Sequence, residues 1–341
     1  MWSSKSKQNL STIAVTPSGY DDIGQVLRHL DYVPDEIEIS DLDRVDSLKK
    51  YKTVFVNCSA EIVSANASAL NYFVQAGGTL YASDFASHPI ERNFSNFKGA
   101  FSASPFVGRM TTYVSDLGLK ELIGASIHLN FDLGSWRYLS FVYQDIRVYI
   151  QGRKKGGTSY PLLFSFRYGA GTVIFTSFHN HAQVTEKERQ LLEFLALRPV
   201  LSRVADESTT VLQATKLLPQ VEFVDKIRQG EWSSLRGFDL YLGEYAKLLL
   251  NWEGQAKVEM MILRPDGSVH TMVRGEKPPL KVDVAGPMGK WSYRVRAIQI
   301  SLPVLAYIVT VGKAGFTKCP FCGYRLRTEA KFCNSCGRPV R

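Results

Sequence analysis

The stretch Gly77–Ala86 constrains the fold more than any other, because it joins a helix stop, a buried strand and a polar turn. The residues before it place apolar side chains at the i, i+1, i+4 and i+5 spacing of one helical face. Gly77-Gly78 ends that helix, since glycine adopts the left-handed C-terminal conformation at low cost. Thr79–Ala82 is then a short apolar strand typical of the centre of a parallel sheet. Ser83-Asp84 comes directly after it, at the carboxyl end of the strand, where functional groups gather in open α/β sheets.

The flanking pattern extends this unit to an α/β domain over residues 10–198. Short strands at Thr12–Thr16, Glu36–Ile39 and Val54–Asn57 alternate with helices such as Ala65–Gln75. Alternating strands and helices predict a doubly wound, mostly parallel, flavodoxin-like sheet. Two more strands are predicted as a hairpin over residues 161–177, and a helix over Thr185–Leu197 completes the domain.

Two motifs resemble the class I glutamine-amidotransferase-like superfamily, which includes trehalose-utilisation-type proteins. One is the Gly-Gly-strand-elbow at Gly77–Asp84, and the other is the run Gly169–His179 with its pattern Gly-x-Gly-x-Val-x-Phe-Thr-Ser-Phe-His. The resemblance covers roughly residues 10–198. It implies a late strand that ends in the family's catalytic histidine, here His179.

The departures from the family pattern concern its chemistry. The family's amidotransferases have a cysteine at the elbow and a glutamate two residues after the histidine, whereas this chain has Ser83-Asp84 and His181. Cys58 ends an earlier strand and does not fit the elbow. A cysteine nucleophile with a positioned base is what this mechanism requires. We therefore expect no glutamine hydrolysis, and no carboxylate that orients His179.

Three interpretations of Ser83, Asp84, His179 and His181 remain open. Ser83 is a candidate nucleophile with His179 as its base, as in the serine peptidases of the superfamily. Alternatively, Asp84, His179 and His181 gather a metal ion or a polar ligand, since imidazole and carboxylate suit Zn²⁺ and related ions. The third interpretation is structural: the four side chains satisfy backbone hydrogen bonds at the strand ends.

The second half of the chain has a different pattern. Residues 199–233 are predicted to be a connector, and residues 234–313 an all-β domain of about seven short strands, which favours a β-sandwich. The alternation around Trp291 and Tyr293 has the period of two expected for a half-buried strand. The turn Pro265-Asp266-Gly267 and the segment around Trp291 resemble bacterial pre-peptidase-type sandwich modules. Trp252 and Trp291 are expected in the core rather than on a ligand platform.

The last residues, 316–341, resemble a short zinc ribbon. Four of the five cysteines form two Cys-x-x-Cys-Gly motifs, at Cys319, Cys322, Cys333 and Cys336. Four thiolates close a tetrahedral shell, which predicts one structural Zn²⁺ per chain on which the segment depends for folding.

The positive charge is concentrated in this tail. The chain has a net charge of +9, and seven basic residues against one acidic residue from Lys313 onward supply +6 of it. Contacts with phosphates are one use for such a charge, although zinc ribbons also dock proteins. The candidate nucleic-acid contacts are Lys318, Arg325, Arg327, Lys331, Arg338 and Arg341.

These observations predict a cytoplasmic protein of three modules. The N-terminus has no signal-peptide core, no stretch has membrane-helix length, and cysteines clustered at metal-binding spacing are typical of a reducing compartment. The expected function is non-catalytic scaffolding within a larger bacterial assembly, with other proteins as partners and at most weak nucleic-acid binding. The alternatives are a hydrolase that uses Ser83 and His179, and a nucleic-acid-binding protein that uses the basic ribbon.

Overall fold

The computed structural model describes residues 12–153, 159–314, 316–318, 325–327 and 338–339. The four predicted zinc ligands lie outside these residues. The chain divides into two compact units, residues 1–203 and 204–341. Among the described residues, no helix combines the length and the apolar character that crossing a membrane requires.

The first unit alternates strands and helices as predicted. Its strands are β1 (Ile13–Val15), β2 (Asp35–Glu36), β3 (Thr53–Val56), β4 (Thr79–Ser83), β5 (Phe101–Ser104), β6 (Gly108–Val114), β7 (Ser126–Phe131), β8 (Trp136–Leu139), β9 (Arg147–Arg153), β10 (Ser159–Tyr168) and β11 (Gly171–Thr176). Its helices are α1 (Ile23–His29), α2 (Val45–Leu48), α3 (Ala60–Ser64), α4 (Ala69–Gln75), α5 (Ser87–Asn93), α6 (Leu117–Ile123) and α7 (Glu186–Val200), with 3-10 turns at Ile39–Asp43, Asp84–Ala86 and Ser95–Phe97.

Within the described residues, nine of these strands form one mixed sheet in the order β2-β1-β3-β4-β11-β10-β9-β6-β7. The strands from β2 to β11 are parallel, and every pairing from β11 to β7 is antiparallel. The prediction of a mostly parallel sheet is therefore correct for the strands from β2 to β11 and wrong for those from β11 to β7. The reason is local: short turns such as the one between β10 and β11 can only join antiparallel neighbours.

Helices cover both faces of the parallel half. On one face, Leu70, Phe73 and Val74 of α4 pack in the same core cluster as Val54 of β3 and Leu80 of β4. On the other face, α7 contacts α1 and β4. This two-sided cover explains why the strands are continuously apolar rather than alternating.

Gly171 marks the place where β11 passes closest to the helix layer. A Cβ atom at this position would lie 2.1 Å from the carbonyl oxygen of Val74 and 2.2 Å from that of Gly78. Only glycine fits against backbone at that distance. The close approach brings β11 beside β4, and so brings their carboxyl ends together.

The second unit is built from one helix and two antiparallel sheets. Residues 204–314 are all described, and here the elements are α8 (Ser202–Ala214), β12 (Leu217–Ile227), β13 (Arg236–Leu240), β14 (Tyr245–Trp252), β15 (Ala256–Leu263), β16 (Val269–Gly275), β17 (Leu280–Ala285), β18 (Gly289–Ile300) and β19 (Leu305–Ala314). The sheet orders are β12-β19-β14-β17 and β13-β18-β15-β16.

The two sheets share one hydrophobic core, as in a β-sandwich. Leu250 and Val309 of the first sheet belong to the same core cluster as Met260 and Trp291 of the second. Trp291 is fully buried, as is Trp252, so the expectation that both tryptophans lie in the core is confirmed.

Residues 199–233, predicted as a connector, contain the end of α7 at Val200, followed by α8 and β12. β12 pairs with β19 from Leu217 opposite Ala314 to Ile227 opposite Leu305. Helix α8 belongs to the same unit, since the Asn251 amide of β14 donates a hydrogen bond to the Val204 carbonyl oxygen at 2.9 Å.

A short hairpin lies after the core of the second unit. β20 (Phe316–Lys318) and β21 (Arg325–Arg327) are antiparallel, and Lys318 lies opposite Arg325.

Candidate functional site

The turn after β4 has the strained geometry of a nucleophile elbow, and the strained residue is Asp84. Its φ is 44°, in the left-handed region that residues with a Cβ atom rarely occupy. A sharp strand-to-helix turn of this kind presents one side chain at the carboxyl edge of the sheet. Ser83, the candidate nucleophile, is instead the last residue of β4, with extended backbone and no exposed surface.

A chain of acidic and imidazole groups extends from Asp84 across the site. The Oδ2 atom of Asp84 lies 3.2 Å from Nε2 of His179, and Nδ1 of His179 lies 2.8 Å from Oδ1 of Asp132. The second oxygen of Asp132 lies 3.0 Å from Nε2 of His181. Asp84 and His179 are buried, whereas His181 is about half exposed. The structure thus links three of the four predicted residues, Asp84, His179 and His181, and the unpredicted Asp132 lies between the two histidines.

Asp132 corrects one expectation from the sequence. With His181 in place of the family's glutamate, His179 was expected to have no orienting carboxylate. Asp132, directly after β7, supplies one from a distant part of the chain. A carboxylate on Nδ1 fixes the orientation and the tautomer of an imidazole.

The contacts of the Ser83 hydroxyl do not favour a role as a nucleophile. Its Oγ accepts a hydrogen bond from the backbone N–H of Cys58 at 3.0 Å. The oxygen atom that faces Nε2 of His179 is Oδ2 of Asp84, not Oγ of Ser83. The contacts of Ser83 are therefore those of a residue that ties β3 to β4.

Cys58 does not occupy the elbow, as the sequence indicates, yet it lies within the site. Its Sγ is 3.7 Å from Oδ2 of Asp84, and its side chain is fully buried. Because β3 and β4 are parallel neighbours, the residues directly after them meet at one edge of the sheet. Sequence reasoning set Cys58 aside, although its place after a buried strand could have indicated it.

Asp21 is a further buried carboxylate that the sequence did not single out. Its Oδ1 accepts a hydrogen bond from the Asn180 backbone N–H at 2.7 Å, and its Oδ2 one from the Asn180 side-chain amide at 3.0 Å. These bonds join the loop after β1 to the loop after β11, which are 159 residues apart in the chain. The position of His179 therefore depends on both loops.

Burial and mutual charge shift the pKa values of these groups. Burial raises the pKa of Asp84 and of Asp21 above their ordinary values, against the opposing effect of His179. Burial lowers the pKa of His179, but the surrounding carboxylates, Asp84 foremost, outweigh it and raise that pKa overall. Burial and then the Asp84 carboxylate raise the pKa of the Cys58 thiol far above its usual range. A thiol in this environment stays protonated and is a poor nucleophile.

Glu188 of α7 stabilises the C-terminal end of the loop that contains His179. Oε2 of Glu188 accepts hydrogen bonds from the backbone N–H groups of Val184 at 2.6 Å and Thr185 at 2.7 Å. Its Oε1 accepts one from Nη2 of Arg109 at 2.5 Å. With Thr185 it forms a capping box at the start of α7.

The candidate residues of the tail are only partly described. Lys318, Arg325 and Arg327 lie in the β20–β21 hairpin, and Arg338 is exposed. Lys331, Arg341 and the four cysteines lie outside the described residues.

Comparison with known proteins gives a family match for the tail and only remote structural similarity for larger parts of the chain. Residues 318–340 match the model of the zinc-ribbon domain family, which supports metal binding by this segment. No curated protein matches the chain.

Among solved structures, the chain is similar to a ThuA-like protein from Bacteroides uniformis, with 13% identity over 57% of this chain and 93% of that one, at a TM-score of 0.43. It is also similar to a protein from Thermoplasma acidophilum described as a GMP synthase subunit, with 12% identity over 57% and 96% and a TM-score of 0.42. A β-galactosidase from Bacillus circulans sp. alkalophilus has 12% identity and a TM-score of 0.38, and the match spans 84% of this chain but only 41% of that enzyme. Likenesses this remote carry no argument about function.

Proposed function

We propose that this protein is a non-catalytic scaffold or adaptor within a larger, bacterial, cytoplasmic assembly. In this proposal its first unit is a degenerate amidotransferase-like domain, and a structural zinc ribbon serves protein interactions. The observation that carries the proposal is the side chain at the elbow. Asp84 is a buried carboxylate whose Oδ1 accepts a hydrogen bond from the Arg137 backbone N–H at 2.6 Å and whose Oδ2 faces His179.

The alternative nucleophiles at this edge are poorly placed for covalent catalysis. Ser83 is fully buried with its Oγ bonded to Cys58 N–H, and the Asp84 carboxylate, which would oppose an alkoxide at Ser83, faces the adjacent base His179. Cys58 is buried and its pKa is raised, so little thiolate forms. These contacts favour an adaptor over the hydrolase alternative.

An exposed apolar cluster on the second unit supports a role in protein binding. Leu242 is 87% exposed and Met288 66% exposed, and Tyr241 and Tyr245 are also exposed nearby. They lie at one end of the two sheets, because Leu240 of β13 pairs with Gly289 of β18. Exposed apolar clusters of this kind mark interaction sites on soluble proteins.

The zinc ribbon begins at the same end of this unit. β19 ends at Ala314, and its Lys313 pairs with Ala246 at the start of β14. In our proposal Cys319, Cys322, Cys333 and Cys336 hold one structural Zn²⁺, with no open position for a substrate.

The test is native mass spectrometry of the affinity-tagged full chain isolated from its own cells. We expect co-purifying proteins at fixed stoichiometry, their loss with Leu242→Asp/Met288→Asp, and their retention with Val33→Asp, which changes an isolated exposed residue of the first unit. A second variant, Cys333→Ser/Cys336→Ser, should lose one zinc equivalent and the partners together.

Three results would count against the adaptor. If the wild-type chain is isolated without other proteins, it is not part of an assembly. If partners still co-purify with the Leu242→Asp/Met288→Asp variant, they do not bind through the apolar cluster. Release of all bound material by nuclease would favour nucleic-acid binding through the basic ribbon instead.

A further inference from the structure

Three side chains of metal-ligand type converge at the carboxyl ends of three adjacent parallel strands. Cys58 lies just after β3, Asp84 after β4 and His179 after β11, and these strands are neighbours in that order. Their ligand atoms, Sγ, a carboxylate oxygen and an imidazole nitrogen, all lie within 4.8 Å of one another. All three side chains are at most 2% exposed. We propose that Cys58, Asp84 and His179 bind a divalent metal ion of the zinc type, in addition to the ion of the ribbon.

The spacing of the ligand atoms fits a tetrahedral ion. Bond lengths of about 2.0 Å to nitrogen, 2.1 Å to oxygen and 2.3 Å to sulfur give tetrahedral edges of about 3.4 Å for N···O and about 3.6 Å for S···O. The distance from Nε2 of His179 to Oδ2 of Asp84 is 3.2 Å, and that from Sγ of Cys58 to Oδ2 of Asp84 is 3.7 Å. Two of the three edges therefore match those of a tetrahedral ion, and the third, from Sγ of Cys58 to Nε2 of His179, is at most 4.8 Å.

The imidazole nitrogen that faces the cluster is the strongest single indication. Nε2 of His179 is buried and makes no hydrogen bond within the described residues, although the Asp84 carboxylate is close. Buried polar atoms in folded proteins nearly always have a hydrogen-bond partner, so a nitrogen that meets a carboxylate oxygen at 3.2 Å without hydrogen-bond geometry requires an explanation. A metal ion on the Nε2 lone pair provides it.

The opposite nitrogen of the same ring is arranged as in known zinc sites. Nδ1 lies 2.8 Å from Oδ1 of Asp132, and an N–H donated there leaves the Nε2 lone pair free for an ion. Histidines that bind metal commonly donate their second N–H to a carboxylate, which fixes the ring and raises its basicity. Asp132 is thus the positioning residue for His179 in this proposal.

The charge balance of the site also favours a cation. Asp84 and Asp21 are buried carboxylates beside one imidazole, and the Cys58 thiol adds a negative charge whenever it ionises. A divalent ion compensates this excess and stabilises the thiolate directly. A set of one thiolate, one imidazole and one carboxylate suits Zn²⁺ better than Mg²⁺ or Ca²⁺, which prefer oxygen ligands.

A second group, Asp132, His179 and His181, is the competing assignment. Its ligand atoms contact one another as those of the buried group do, since each oxygen of Asp132 meets one imidazole nitrogen at 2.8 or 3.0 Å. It is more exposed than the buried group. The buried group is favoured because it contains the nitrogen without a hydrogen bond.

The proposal is tested by counting metal in the full chain. The protein is reconstituted with excess Zn²⁺, dialysed and analysed by elemental mass spectrometry. We expect two zinc ions per chain in the wild type, one in Cys58→Ser, one in Cys333→Ser/Cys336→Ser, and none when these substitutions are combined. Ser177→Ala is the matched control, because Ser177 is fully buried two residues before His179 and its hydroxyl makes no hydrogen bond within the described residues, and this variant should keep both ions.

Co²⁺ substitution distinguishes the ligands in variants that fold. In the Cys333→Ser/Cys336→Ser background, Co²⁺ should give a thiolate charge-transfer band that Cys58→Ser removes. One zinc ion in the wild type that Cys58→Ser retains, or two in Cys58→Ser, would overturn the proposal, whereas one ion that only Cys58→Ser removes would count against the ribbon ion alone. So would loss of the second ion in His181→Ala with retention in Cys58→Ser, because that pattern assigns the ion to the exposed group.

Discussion

Replacing Glu188 by alanine should destabilise the first unit far more than its position on a surface helix indicates. The Glu188 carboxylate is fully buried and accepts backbone hydrogen bonds from Val184 and Thr185. Hydrogen bonds to a charged group contribute about 1.5–3 kcal/mol each. The lower figure applies here because both bonds are only partly buried, which gives about 3 kcal/mol for the pair. The ion pair with Arg109 adds little, since the arginine side chain is 48% exposed.

The measurement is differential scanning calorimetry of the full chain, in which the transition of the first unit should fall. About 3 kcal/mol corresponds to a decrease of roughly 6–12 °C for a unit of this size. Glu186→Ala is the control on the same first turn, because Glu186 is exposed and pairs with Arg189 at the surface. It should change the transition by less than about 2 °C. Equal decreases for the two variants would refute the hydrogen-bond argument.

The remaining predictions concern the backbone, the chemistry and the tail. Gly171→Ala should prevent folding of the first unit, because its Cβ meets backbone atoms at 2.1 Å, whereas Gly134→Ala, with 3.9 Å to its nearest neighbour, should be tolerated; circular dichroism and solubility test both. A serine-reactive fluorophosphonate should not label the chain, and labelling that disappears in Ser83→Ala would establish an enzyme. Binding of the full chain to a DNA or RNA oligonucleotide should be weak and fall steeply with salt, since counterion release drives it; tight, sequence-selective binding at physiological salt would contradict the adaptor.

The sequence predicted the strands of the second unit well because their signals are local. The run Trp291–Ala297 alternates with period two, and the structure extends it to β18, Gly289–Ile300. The sequence analysis did not predict strand β12, because Glu222, Asp225 and Lys226 give this segment a polar pattern. Its pairing with β19 along its whole length is a tertiary contact that no local pattern reveals.

The site was predictable only in part, for a related reason. Asp84 and His179 come soon after apolar strands, so the topology of a parallel sheet brings them together. Asp132 lies directly after β7, which the sequence analysis did not assign, although the alternation of Ile127, Leu129 and Phe131 is a signal that could have found it. Asp21 meets Asn180 through a contact between loops, for which a single sequence gives no sign.

The strained conformation of Asp84 at the elbow must be stabilised by its surroundings. A non-glycine residue in a sparsely populated conformation costs about 1–3 kcal/mol and survives only where its surroundings over-determine it. At Asp84 those surroundings are the Arg137 backbone N–H on one oxygen, and His179 and Cys58 beside the other. Oδ2 of Asp84 has no backbone hydrogen bond among these contacts. The part of the conformational cost that Oδ2 offsets therefore depends on charge interactions. A cation held between Asp84, His179 and Cys58 would supply these interactions, and this links the strain at the elbow to the metal site we propose.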